Sequence, residues 1–340
     1  MSRTISRENL RKLMDELLAA GTTVIAPREV KPGTVLYEPV GNGAEWVPNG
    51  TENSPVRPGN SLKEVIFPKT EKLYGYTLDG KSVALTDAEM DATPQVVIGA
   101  APCDAAAPAI LDAVFHWDYN DELYDHHRAR TTIVSMACPQ ADGHCFCTSV
   151  GSGPMDERGS DAMLCDLGDG RYEVRCFTDK GEKLFAGKTT DASDVKFKPA
   201  AGPAPIGDSA AIRKFLETGF DDPIWEEMSL RCIGCGTCAY LCPTCHCFDI
   251  VDERAGRGTG CRLKNWDSCQ FGMFTLHASG HNPRENQAQR QRQRILHKFR
   301  IYPEKFDAIL CTGCGNCSRR CPVGLGVKPV LFAIAEKLKK

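Results

Sequence analysis

The sequence has no run of eighteen or more apolar residues, so it offers no candidate membrane-spanning helix. It has no apolar leader either. Met1 to Glu16 is charged and patterned as an amphipathic helix, which reads against a signal peptide. A large excess of either charge is missing as well: the formal net charge is -3 over 340 residues, so no global basic field attracts nucleic acid. There is no P-loop. Gly151-Ser-Gly-Pro154 falls short of a G-x-G-x-x-G fingerprint and reads as a tight loop, so no familiar motif for NAD(P) or ATP is present. His126-His127, His277 and His281 belong to no recognisable nucleophile or metal signature. These absences predict a soluble cytoplasmic protein without side-chain catalysis of a familiar kind.

Cysteine, by contrast, is abundant at 18 residues. In a short secreted chain that number would mean a disulfide framework; in a long, unsignalled one it points to metal-bound thiolates in a reducing compartment. Cys232, Cys235, Cys238 and Cys242, followed by Pro243, read C-x2-C-x2-C-x3-C-P. This is the bacterial-ferredoxin ligand run for a [4Fe–4S] cluster. Three thiolates two residues apart wrap a loop around one face of a cube, and Gly234 and Gly236 let the backbone approach it. The run recurs as Cys311, Cys314, Cys317, Cys321 and Pro322, with Gly313 and Gly315. One run is compatible with a zinc knuckle or unligated thiols; two with the same spacing and proline favour iron–sulfur cubes. In two-cluster ferredoxins the fourth cysteine of each run crosses to the other cluster. The expected sets are therefore Cys232, Cys235, Cys238 and Cys321 for one cluster, and Cys311, Cys314, Cys317 and Cys242 for the other.

The N-terminal half supplies a less regular set. Pro94 to Pro102 and Thr131 to Ala137 read as buried strands, with a helix between them that Asp104 could cap. Cys103 follows the first strand and Cys138 the second, with Cys145 and Cys147 shortly after. Ligands at strand ends are where an α/β layer places a site. These four could hold a third [4Fe–4S] cluster; a single zinc ion or buried apolar cysteines remain open.

The pattern predicts an α+β protein: an N-terminal α/β domain over residues 1–205 and a mainly helical ferredoxin-like domain with two clusters over 206–340. Helices are expected over 5–19, 209–218 (capped by Asp208) and 223–230, a strand over 22–26, and turns between short strands over 27–62. Lys63 to Phe67 reads as a strand and Ala162 to Cys176 as a hairpin. A Pro/Ala/Gly linker spans 196–207. An insert between the runs reads as a hairpin, Phe248 to Glu253 with Cys261 to Asp267. It carries Cys245, Cys247, Cys261 and Cys269, which could form another metal site; the alternative is that Cys245 and Cys247 pack beside the first cluster. Residues 286–300 carry Arg290, Arg292, Arg294, Lys298 and Arg300 and read as a solvated helix, with an acidic partner or the clusters' own charge as other targets.

These segments resemble a known family, the beta subunits of cytoplasmic sulfhydrogenases (nickel–iron hydrogenases) together with the corresponding iron–sulfur subunits of anaerobic sulfite reductases. The resemblance covers most of the chain. It rests on Ala101-Pro102-Cys103-Asp104, Cys145-Phe146-Cys147-Thr148-Ser149, Cys242-Pro243-Thr244-Cys245, Trp266-Asp267-Ser268-Cys269-Gln270-Phe271, Asn282-Pro283-Arg284, and Arg292-Gln293-Arg294 through His297-Lys298-Phe299. The chain departs from the family at Ala101, where a basic residue is expected. Cys165, Cys176 and Cys261 do not match family positions and are discounted as ligands. The resemblance implies an iron–sulfur electron-transfer subunit of an anaerobic oxidoreductase complex. Its implied partners are a flavoprotein subunit linked to NAD(P)H and a catalytic redox subunit, with ferredoxin as a further one. Two other functions stay in view. Cys238, Cys242 and Cys245 read C-x3-C-x2-C, the spacing of a radical-chemistry cluster with an open iron. A zinc-stabilised interaction scaffold is the other.

Overall fold

The structure, a computed structural model, describes residues 2–48, 57–193 and 197–339. Ten strands lie in the N-terminal half: β1 (Ser2–Ser6), β2 (Thr23–Lys31), β3 (Thr34–Pro39), β4 (Thr70–Asp79), β5 (Ser82–Asp87), β6 (Gln95–Ala100), β7 (Thr131–Met136), β8 (Ala162–Asp166), β9 (Arg171–Cys176) and β10 (Thr190–Ala192). The insert adds β11 (Phe248–Gly256) and β12 (Thr259–Trp266). Eight strands form one mixed sheet in the order β10-β1-β9-β8-β7-β6-β2-β3. Its centre is parallel, β2 with β6, β6 with β7 and β7 with β8. Every residue of β6 is buried, as a strand covered on both faces requires.

Several sequence expectations are met with shifted edges. The first helix is Arg7–Ala19, because Ile5 belongs to β1; Ser6 caps it by accepting from the Asn9 amide at 3.1 Å. It buries Leu10, Leu13 and Met14, spaced three and four apart, on the sheet. The hairpin of β8 and β9 and the helix Ser209–Thr218 capped by Asp208 are present. The strands expected over 27–62 appear in part as β3, with residues 49–56 outside the described residues.

Two readings are corrected. Lys63–Ile66 is a helical turn, not a strand, because tertiary partners outweigh the β preference of Val65 and Ile66. Lys63 is buried there with its ammonium 3.9 Å above the Trp266 ring. Asp104 does not cap the following helices, Pro102–Ala105 and Ala107–Phe115, neither of which has a side-chain cap. Its carboxylate accepts instead from the Tyr37 hydroxyl at 3.1 Å.

The second sheet ties the two halves of the chain together. Its order is β11-β12-β4-β5, all antiparallel, so the insert hairpin pairs with a hairpin from the N-terminal half. Lys264 and His127 both reach the half-buried Glu71, each at 2.7 Å. Burial works to raise the Glu71 carboxyl, but these two partners hold it below its ordinary value. The Trp266 indole donates to the Phe67 carbonyl at 3.0 Å and its ring stacks on Phe67. A further core joins Phe146 and Val150 to Ile212, Leu296, Val330 and Ile334.

Candidate metal centres

Both ferredoxin runs make the same local shape. After the second cysteine of each, a glycine in the left-handed region turns the chain into a four-residue helix: Gly236 before Thr237–Tyr240 and Gly315 before Asn316–Arg319. The eight cysteines of the runs then sort into two cavities. Cys232, Cys235, Cys238 and Cys321 line one, together with Gln270, Gln291 and Gly326. Cys242, Cys311, Cys314 and Cys317 line the other, with Arg294, Lys298 and Val327. The fourth cysteine of each run thus sits with the first three of the other. Gly326 and Val327 are consecutive and face one cavity each, so the two spaces are neighbours.

Several donors aim at these sulfurs, as amide–sulfur tuning of a cluster needs. The Leu325 amide donates to Cys321 Sγ at 3.3 Å, the Val327 amide to Cys317 Sγ at 3.5 Å and the Gly313 amide to Cys311 Sγ at 3.4 Å. The Gln287 side-chain amide reaches Cys232 Sγ at 3.4 Å.

The basic helix is not solvated as expected. Arg290, Arg294 and Lys298 fall four residues apart and are all buried, while Arg292 and Arg300 face outward to Asp221 and Glu304. The helix Gln287–Leu296 runs into a π turn, His297–Ile301, which carries Lys298. Lys298 Nζ donates to Cys242 Sγ at 3.3 Å, Thr244 Oγ1 at 3.1 Å and the Leu310 carbonyl at 2.9 Å. Burial works to lower its pKa, but the facing sulfurs of Cys242 and Cys245 prevail and raise it. Arg294 donates to the Cys238 carbonyl at 2.6 Å, and its Nε and Nη1 are buried with no partner among the described residues. No carboxylate lies within ion-pair distance of Arg294, Lys298 or Lys63 among the described residues. Buried cations and orphaned donors around thiol-lined cavities fit an anionic thiolate-bound cluster, whose sulfur atoms accept hydrogen bonds. The protein's own residues therefore fit [4Fe–4S] groups in both cavities.

The irregular set gathers around another cation. Arg57 Nη2 donates to Cys138 Sγ at 2.9 Å and lies within electrostatic reach of Cys103 and Cys145. Cys147 in turn senses Cys145 and Cys138. Cys138 is half-buried and the other three are buried. Cys103 and Cys138 follow β6 and β7, at the carboxyl ends of adjacent parallel strands. The Gly151–Pro154 loop closes over this set, the Pro154 carbonyl accepting from the Cys138 amide at 2.9 Å.

This set abuts the second run. Cys103 packs against Cys314. The Phe146 amide donates to the Gly313 carbonyl at 2.9 Å. The approach is close enough that a Cβ on Gly315 would lie 2.6 Å from the His144 carbonyl oxygen. Arg319 spans the junction, donating to Asp142 at 2.8 Å and to the Cys314 carbonyl at 3.3 Å. Burial works to raise the Asp142 carboxyl, but Arg319 and the His144 amide hold it down at about 2.

The remaining cysteines divide. Cys245 lies against Cys242 and donates to it, which holds the Cys242 sulfur toward thiolate. Cys247 hydrogen-bonds Cys269, which holds the Cys269 sulfur toward thiolate. Cys261 is in β12, opposite Glu253 and Gly75. Cys165 packs with Ala137 and Met163, and Cys176 lies beside Arg3. The spacing Cys238, Cys242, Cys245 does not converge, since Cys238 lines one cavity and Cys242 the other. Nor do any three His, Cys, Asp or Glu side chains among the described residues meet as one zinc ion requires.

Sequence reasoning missed Arg57, Lys63 and Arg319, which carry no motif. It could have weighted the four-residue spacing of Arg290, Arg294 and Lys298 over the alternation that suggested a solvated face.

Comparison with known proteins adds the following. A family model described as a 4Fe-4S dicluster domain matches residues 231–325. The chain is 30% identical over 256 residues to sulfhydrogenase 2 subunit beta of Pyrococcus furiosus, covering 72% of this chain and 75% of that protein. No solved structure matches the chain.

Proposed function

Because the chain belongs to the family of sulfhydrogenase beta subunits, we propose that this iron–sulfur electron-transfer subunit carries electrons between a flavoprotein subunit linked to NAD(P)H and a catalytic redox subunit. Cys232, Cys235, Cys238 and Cys321 hold one [4Fe–4S] cluster and Cys311, Cys314, Cys317 and Cys242 the other. Cys103, Cys138, Cys145 and Cys147 hold a third. Bound in these cavities, such clusters supply one-electron transfer at low potential. The observation that carries the reading is the sorting of eight cysteines into two cavities with exchanged fourth members.

The residues of this chain set the path. Cys103 adjoins Cys314, and Cys317 lies within electrostatic reach of Cys238, so the three sets form a row. Cys235 is exposed at the far end, flanked by exposed Leu230 and Ile233, which suits it to meet a partner protein. At the buried sets, Arg57, Arg294 and Lys298 offset negative charge, and Lys63 adds a fourth cation near Cys242. Among the described residues no helix is long and apolar enough to cross a membrane.

The test is iron content and low-temperature paramagnetic resonance of protein prepared without oxygen. About twelve irons per chain and three cubane signals are expected, and about eight would remove the third site. Zinc-loaded protein without iron would defeat the reading.

A further inference from the structure

Cys247 and Cys269 line neither cavity, yet their thiols lie against each other at the base of the insert hairpin. The hairpin register makes this pairing. Phe248 faces Trp266, and the Asp267 amide donates to the Cys247 carbonyl at 2.9 Å, so the turn through Ser268 brings Cys269 back beside Cys247. The Gln270 side-chain amide reaches Cys269 Sγ at 3.6 Å. That same Gln270, almost fully buried, lines the cavity of Cys232, Cys235, Cys238 and Cys321 and leaves its Oε1 unpartnered among the described residues. Cys269 is also within electrostatic reach of Cys238. As residues, Cys247 and Cys269 are half-buried. A metal ion at this pair would need a third donor, and Cys245 is turned to Cys242 instead.

We propose that Cys247 and Cys269 form a redox-active dithiol that takes electrons singly from the relay and delivers them in pairs to a low-molecular-weight disulfide. The inference rests on the relay reading above. Cys269, as thiolate, attacks one sulfur of the disulfide; the substrate S–S bond breaks, one thiolate leaves and a mixed disulfide forms on Cys269. Cys247 then loses its proton and attacks the Cys269 sulfur. The protein disulfide closes, the second thiolate leaves, and the two protons given up by the dithiol pass to the two leaving thiolates. The Cys247–Cys269 disulfide reopens by taking up two electrons from the low-potential relay, one at a time, and two protons from solvent. The pair thereby joins one-electron carriers to two-electron chemistry.

The test uses the full chain, iron-loaded and prepared without oxygen. It is treated with glutathione disulfide, its free thiols are alkylated, and peptides are mapped by mass. Cys247 and Cys269 should be joined, with iron content and cubane signals unchanged. A reduced viologen should reopen the link roughly tenfold faster or more in iron-loaded than in iron-stripped protein. Cys247→Ser and Cys269→Ser should each keep the iron and abolish the link. Fully iron-loaded protein whose two thiols stay free after the treatment overturns this inference and leaves the relay standing. Loss of iron in either variant also overturns it, by making these residues ligands. Wild-type protein with no cubane signal overturns the relay and this inference together.

Discussion

The Lys298 ammonium lies 3.3 Å from the Cys242 sulfur, in a setting where both residues are buried and no carboxylate among the described residues offers competition. A desolvated cation beside a sulfur stabilises whatever negative charge that sulfur shares. Adding an electron to a cluster at Cys242, Cys311, Cys314 and Cys317 increases that charge, so Lys298 favours the reduced state.

Lys298→Met should therefore make this cluster harder to reduce. A hydrogen bond to a charged group contributes about 1.5–3 kcal/mol. For one electron that corresponds to a downward shift of roughly 60–130 mV. A redox titration followed by paramagnetic resonance measures it, and an unchanged midpoint would refute the assignment of Lys298.

The exchanged fourth cysteines give a pairing test. Cys321→Ser should lose the same signal as Cys235→Ser, and Cys242→Ser the same signal as Cys314→Ser. Each variant should lose about four irons at most. If Cys321→Ser instead matches Cys314→Ser, each run keeps its own cluster.

Acid should weaken the fold through two histidines whose rings meet at 5.6 Å. Burial lowers His246 from 6.5 to about 4 and His297 from 6.5 to about 3. Both folded values lie below the unfolded one, so in that window the unfolded chain binds protons that the folded one refuses. Their contribution is complete above about pH 6.5 and is lost as the pH falls through about 4 for His246 and about 3 for His297. His246→Phe should shrink the stability difference between pH 7 and pH 5 by about 2 kcal/mol. Denaturant unfolding at the two pH values measures it, and an identical slope in wild type and variant refutes it.

Gly315→Ala should cost about 1–3 kcal/mol, because its φ of 76° and the His144 carbonyl both oppose a Cβ. Gly272→Ala, where a Cβ meets nothing within 4 Å, is the control and should be close to neutral. Comparable losses in both would show that the 144–147 loop does not press on the second run.

What the sequence disclosed follows from the range of each interaction. The ferredoxin runs are legible because three of the four cysteines of each set are local, with the glycines fixed by the turn they make. The α/β centre is legible because β6 and β7 carry short, mostly apolar runs and are almost wholly buried. The helical turn at Lys63 is not legible locally because it depends on Trp266, far along the chain. The strand β4 is not legible in isolation because it finds its partner in β12, far along the chain. The buried stripe Arg290, Arg294, Lys298 looks solvated because cations are buried only where a facing anion is supplied, and here that anion belongs to thiolates from other segments.

The exchange of Cys242 and Cys321 between cavities also sets a schedule. Neither four-cornered seat is complete until the last ferredoxin turn has left the ribosome, since Cys321 finishes the seat that Cys232 begins. A growing chain can therefore present half-built seats but cannot close either one. On the proposed assignment, loading both seats would be a single late event, and a chain truncated ahead of Cys311 would complete neither.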